Sequence, residues 1–144
     1  MSIASRYLQY ADAFEQSYVD DDWSHVESYF TENAVYEGEP EARGRAAVLQ
    51  KLKGGVDGFD RLMDTRTPDF QEPEVEGNTL TMQWAVTYSK AGCPDLTISG
   101  LETAVFEGDC IASLRDDIDP AAQAAMGEWM AAHGASLHPT AFHE

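Results

Sequence analysis

TLTMQWAVTYSKAGCPDLTISGLETAVFEGDCIASLRDDI, residues 79–118, reads as three successive β-strands joined by short connections. In the first segment Leu80, Met82, Trp84, Val86 and Tyr88 alternate with Thr79, Thr81, Gln83, Ala85 and Thr87. Successive side chains of a strand point to opposite faces, so one face is apolar and the other polar. A loop over residues 90–95, with Gly92 and Pro94, leads to a second strand from Leu96 to Phe106. Gly108-Asp109 then makes a tight turn into a third strand, Cys110 to Ile118. The pattern predicts an antiparallel meander with one buried face.

Two carboxylates interrupt that buried face. Among Leu96, Ile98, Gly100, Glu102, Ala104 and Phe106, the glutamate is the only charged side chain. Asp116 is the odd member of the set Ala112, Leu114, Asp116 and Ile118. Burying a carboxylate is unfavourable unless it is paired or protonated. Two acids on adjacent strands in one cavity split their pKa values and serve as proton donor and acceptor. Two alternatives stay open: Glu102 pairs with Arg66 or Arg115 and pins the sheet, or a one-residue bulge turns Asp116 to solvent.

Upstream the periodicity is helical. Ile3, Tyr7, Ala11, Phe14 and Tyr18 recur at three- and four-residue steps, giving one face of a first helix. Asp22 is placed to cap a second helix carrying Trp23, Val26, Tyr29 and Phe30. A short strand from Ala34 to Glu37 stops at Gly38 and Pro40, and a helix from Arg45 to Lys53 carries Val48, Leu49 and Leu52 and stops at Gly54. A further strand is expected from Leu62 to Phe70, with a turn at Gly77-Asn78. Downstream, Asp119 caps and Pro120 starts an alanine-rich helix that Gly134 stops, with Met126, Trp129, Met130 and His133 on one face. That face is expected to dock on the domain or on a partner copy.

At 144 residues the chain is expected to be one domain. With 26 acidic against 9 basic residues its net charge is -17, which repels phosphate backbones and anionic lipid, so neither nucleic acid nor membrane is an expected partner. No apolar run approaches the length of a membrane span, and residues 1–14 read as part of the fold, so a secretion signal is not expected. Two cysteines, Cys93 and Cys110, are too few for a disulfide framework and suit a cytoplasm. His25, His133, His138 and His143 lack metal-ligand spacing, and no phosphate loop, nucleophile elbow or dinucleotide fingerprint occurs. The expectation is chemistry without metal or cofactor. Leu101, Val105 and Ile111, among Thr97, Thr103 and Ser113, are placed on the outer sheet face, which is expected to pair two copies as a homodimer.

DWSHVESYFTENAVYEGEP (22–40), RGRAAVLQKL (43–52) and ETAVFEGDCIASL (102–114), in that order and spacing, resemble the nuclear transport factor 2-like superfamily. That superfamily includes ketosteroid isomerases, SnoaL-like cyclases and limonene epoxide hydrolases. The resemblance runs from Tyr7 to Asp119 and implies a cone-shaped α+β fold. Its N-terminal helices pack in a strongly curved, mostly antiparallel sheet around an apolar cavity, and residues 120–134 add a helix beyond this core. Laid on the ketosteroid isomerase pattern, the general base falls on Gly38, the tyrosine donor on Phe14 and the second acid on Glu102. Laid on the epoxide hydrolase pattern, the first strand supplies Gly100 and Glu102 without the arginine, and Asp116 follows on the next. The implied cavity walls are Phe14, Tyr18, Trp84 and Tyr88, with Arg66 and Leu114 as further ligand-binding candidates; Glu37 and Glu39 flank the vacant base position. A cofactor-independent isomerase, cyclase or hydrolase of a small, largely apolar molecule is one expectation, and a non-catalytic binding or assembly module is the other.

Overall fold

The computed structural model describes residues 2–38 and 40–137. Helix α1 spans Ile3–Asp20, a short α2 spans Ser24–Glu27, and strands β1 and β2 span Phe30–Tyr36 and Ala42–Arg43. Helix α3 covers Arg45–Gly58, and a 3-10 turn at Asp60–Leu62 leads into β3, Thr65–Phe70. Then follow β4 (Glu74–Glu76), β5 (Thr79–Ser89), β6 (Leu96–Glu107), β7 (Cys110–Ile118) and α4 (Pro120–His133). The strands form one curved, unclosed sheet of seven in the order β2-β1-β7-β6-β5-β3, with β4 also on β5. Every pairing is antiparallel except β1 with β7.

The meander forms as its alternation predicts. Leu80, Met82, Val86 and Tyr88 of β5 are buried together with Leu96, Ile98, Ala104 and Phe106 of β6. Against this face α1 packs Tyr7 and Tyr10, which sit 1% and 4% exposed. Asp22 falls one residue short of the cap expected of it: Trp23 holds the N-cap position of α2 without a side-chain cap, and Asp22 Oδ1 accepts from Ser24 N at 3.1 Å.

Several boundaries differ from the sequence reading. Strand β1 starts at Phe30, which the reading put on the second helix; the buried pair Phe30 and Ala34 lie four apart across a register irregularity, so no two-residue alternation announces the strand. Helix α3 runs through Gly54 and Gly55 to Gly58. Each interior glycine disfavours helix by about 1 kcal/mol, and burial of Val56 (3% exposed) beyond them offsets that. The β3 strand begins at Thr65, after the 3-10 turn, and β4 is a separate strand. Asp119 does not cap α4 with its side chain, since its Oδ2 accepts from Ser99 Oγ at 2.7 Å.

A bulge does occur in β7, at Ala112, where pairing shifts from Val105↔Ser113 to Phe106↔Ile111. It corrects the outer-face assignment of Ile111, which points inward and is fully buried. Because the bulge precedes Leu114, it leaves Asp116 on the inner face.

Helix α4 docks on its own chain. Trp129 and Ala122 are buried with Met63, Val86, Tyr88, Leu96 and Ile98, while Met126 and Met130 pack at the edge of that cluster. The indole N–H of Trp129 donates to Pro94 O at 2.8 Å. Leu96 and Ile98 share their sheet face with Glu102, so α4 occupies one end of the same trough that α1 fills from the other. No described helix is long and apolar enough to cross a membrane.

Candidate active site

Between α1, α3 and the inner sheet face lies a cavity of about 530 Å³. Phe14, Leu52, Val56, Met82 and Trp84 give it apolar walls, and Glu102 and Asp116 both line it. Glu102 and Asp116 are direct cross-strand partners, with Met82 opposite Glu102 on the other side. Strand register therefore fixes the two acids side by side.

Each carboxyl has a phenol partner. Tyr7 Oη on α1 donates to Glu102 Oε2, and Tyr36 Oη at the end of β1 donates to Asp116 Oδ2 at 2.5 Å. Neither candidate arginine reaches them. Arg66 is held by Glu15 at 2.6 Å and Asp60 at 2.8 Å, and Arg115 lies on the outer face with Asp117 at 3.0 Å. The sheet-pinning alternative for Glu102 is thereby replaced by a carboxyl pair without a cation.

Burial pushes the Glu102 carboxyl well above the usual carboxylate range, and the charge of Asp116 pushes it further against the opposing hydrogen bond from Tyr7. Burial also raises Asp116, while hydrogen bonding from Tyr36 and Glu102 favours its ionised form. Both directions describe one proton shared by two acids and held chiefly on Glu102. Burial is also the main reason that the phenols of Tyr7, Tyr10 and Tyr36 titrate above the ordinary tyrosine range, reinforced by the acids, so they remain donors.

Gly100 makes room for this arrangement. A Cβ there would lie 2.5 Å from Asp117 O and 3.0 Å from Trp84 Cζ2, so only glycine lets the indole cross the strand. Trp84 Nε1–H is buried without a hydrogen bond of good geometry, yet stands near enough to Asp116 to favour its charged form.

Of the residues predicted to bind ligand, Phe14, Arg66, Trp84 and Tyr88 line the cavity. Tyr18 and Leu114 do not. The Tyr18 ring lies 4.9 Å from the guanidinium of Arg66, and Leu114 is fully buried in the core, because inward positions near the β1 junction are packed solid. Glu37 faces outward, accepting from Ser113 Oγ at 2.9 Å. Glu39 lies outside the described residues.

Phe14 brings no hydroxyl to the cavity, whereas Tyr7, two turns earlier on the same helix face, does, donating it to Glu102. Tyr36, Lys51 and Asp60 also line the cavity and were not read from sequence as site residues. Neither tyrosine carried a signal: Tyr7 shares its helix stripe with the hydroxyl of Tyr18, and a tyrosine in a strand such as Tyr36 satisfies β propensity alone. Among the described residues no three His, Cys, Asp or Glu are grouped to hold a metal.

No family model matches the sequence, and no curated protein matches it. Solved structures do. A nuclear transport factor 2-like protein of unknown function from Exiguobacterium sp. 255-15 is 19% identical, with a TM-score of 0.63 over 80% of this chain and 98% of its own. A protein described as a SnoaL-like polyketide cyclase from Shewanella putrefaciens CN-32 is 11% identical, with a TM-score of 0.64 over 92% of this chain and 88% of its own. TerC, co-crystallised with polyporic acid, is 10% identical, with a TM-score of 0.64 over 88% of this chain and 98% of its own. The chain has the nuclear transport factor 2-like fold.

Proposed function

We propose that this protein is a cofactor-independent enzyme that moves protons on a small, largely apolar carbonyl compound, as in an isomerisation or cyclisation. The observation that carries this reading is the Glu102–Asp116 pair, half-buried, without a salt-bridge partner among the described residues, and opening on an apolar cavity. Asp116 accepts a proton from the carbon beside the carbonyl as the carbonyl oxygen takes one from Glu102, giving an enol. The pair keeps one proton throughout, now on Asp116, which delivers it to a different carbon or to the same one as Glu102 takes back the O–H proton of the enol, restoring the carbonyl and the starting pair. Tyr7 and Tyr36 hold the two carboxyls in place. Descriptions of neighbours as polyketide cyclases, and the co-crystallisation of another neighbour, TerC, with polyporic acid, support a ligand-binding cavity of this kind. A binding module is the second reading, favoured by Gly38 at the position of the isomerase base.

Deuterium uptake beside the carbonyl of 2-tetralone, followed by proton NMR in heavy water, tests the enzyme reading. The protein is expected to accelerate it, and Glu102→Gln, which hydrogen-bonds but transfers no proton, to slow it by about 10²–10⁴-fold. Uptake no faster than buffer, or unchanged in Glu102→Gln, would sink the reading.

We also propose that the chain acts as a single cytoplasmic domain, its core over 7–119 and α4 an extension. We propose further that two copies pair through the outer sheet face, where Leu101 and Val105 are half-buried among threonines. Light scattering is expected to give twice the 15.9 kDa of the chain, and the monomer mass at micromolar concentration would refute pairing.

A further inference from the structure

Lys51 lines the cavity from α3, and it lacks the carboxylate partner that Arg66, the other cation lining the cavity, has. Lys53, Lys90, Arg61, Arg66 and Arg115 each lie within 4.0 Å of a carboxylate. Among the described residues, Lys51 has no such partner, in a chain whose net charge is -17. Its ammonium is nevertheless held in place, donating to Pro40 O at 2.5 Å and standing 4.7 Å from the centre of the Tyr36 ring. An ammonium has three donors, so two remain.

Gly38 opens the space this ammonium occupies. It has a φ of 146°, and a Cβ there would lie 3.0 Å from Lys51 Nζ. Position 38 is also where the resemblance to ketosteroid isomerases places a carboxylate. With glycine there, the acid that would neutralise Lys51 is absent and the cation faces the cavity.

Resting on the proton-transfer reading above, we propose that Lys51 anchors an anionic group of the ligand, so that the cavity takes small aromatic or alicyclic carboxylates. The Tyr36 ring fixes the geometry. Lys51 sits over its face while its hydroxyl donates to Asp116, so the cation stands about one aromatic ring from the acid pair. A carboxylate on Lys51 leaves a carbonyl or hydroxyl on the neighbouring ring within reach of Glu102. The negative charge shared by the acids repels the anionic end and so sets the ligand's direction. Arg66 offers no competing anchor, because Glu15 and Asp60 together more than cancel its charge.

Calorimetric titration with 2-naphthol and 6-hydroxy-2-naphthoate, a pair differing only in the carboxylate, tests this at low salt. The naphthoate is expected to bind the protein about tenfold more tightly, the size of one charge-assisted hydrogen bond. Lys51→Met should abolish that preference and keep the naphthol affinity within about twofold, while Lys51→Arg should keep the preference. Equal binding of the two probes, or a preference surviving in Lys51→Met, overturns the anchor. Binding of neither probe overturns both the anchor and the cavity as a ligand site. A naphthoate preference in a parent protein that does not accelerate 2-tetralone exchange leaves the anchor standing and removes only the proton-transfer reading.

Discussion

A chain that ends at Asp119 is expected to melt at least about 10 °C below the full-length protein. The reason is Trp129, 5% exposed, whose ring centre lies 6.3 Å from that of Phe59 and whose indole N–H is taken by Pro94 O. Removing a buried aromatic side chain destabilises by about 3–5 kcal/mol. For a domain of this size roughly 0.3 kcal/mol corresponds to one degree. Trp129→Ala should reproduce most of the loss in a chain of full length, which separates the missing side chain from any wider failure to fold. Scanning calorimetry reads both. A change below about 2 °C with altered binding of a cavity probe would mean that α4 is a detachable cover, contrary to its place among Val86, Tyr88 and Leu96.

The acid pair should also leave a mark on the pH dependence of stability. Glu102 has a folded pKa well above the 4.5 of an unperturbed glutamate. Between those two values the folded protein retains a proton that the unfolded chain has released. The stability contributed by the group is therefore complete below about pH 4.5 and is lost as pH rises toward the folded pKa. Each pH unit in that window removes about 1.36 kcal/mol, roughly 4 °C of melting temperature here. Glutamine at 102 still donates to Asp116 and accepts from Tyr7 but has no proton to lose. The expected result is that Glu102→Gln and the parent melt closely together near pH 4 and diverge by several degrees by pH 7, with the variant higher. Exposed Asp20 is lowered to about 2, chiefly by hydrogen bonds from Gln16 and His25, and slopes the other way in both proteins, so it cancels in the difference. Melting curves that stay parallel from pH 4 to pH 8 would show that Glu102 is ionised in the fold.

What the sequence discloses is what neighbouring residues encode together. The alternation of β5, β6 and β7 is a property of neighbouring residues, and it placed Glu102 and Asp116 on the buried face before any partner was known. Their hydrogen-bond partners come from far along the chain, Tyr7 from α1 and Tyr36 from β1, and nothing in the spacing of those tyrosines distinguishes a donor from a core ring. Arg66 and Arg115 were equal candidates for Glu102 by charge; strand register sends one to Glu15 and Asp60 and the other to the outer face. Glycine misled in α3, where burial of Val56 outweighs two weak helix formers. Ile111 misled because the bulge at Ala112 reverses its facing relative to Leu114 and Asp116 without altering composition.

Trp84, Val86, Tyr88 and Ile118 line the cavity on one side and pack against the α4 cluster on the other. They form a bulkhead across a single trough, with open space behind Phe14 and solid protein beneath Trp129. Trimming a side chain of that bulkhead, such as Val86, would lengthen the chamber toward α4 while leaving Glu102 and Asp116 opposed on their strands. The size of molecule the fold admits and the chemistry its acids perform are thus set by different residues, and either can change while the other is kept.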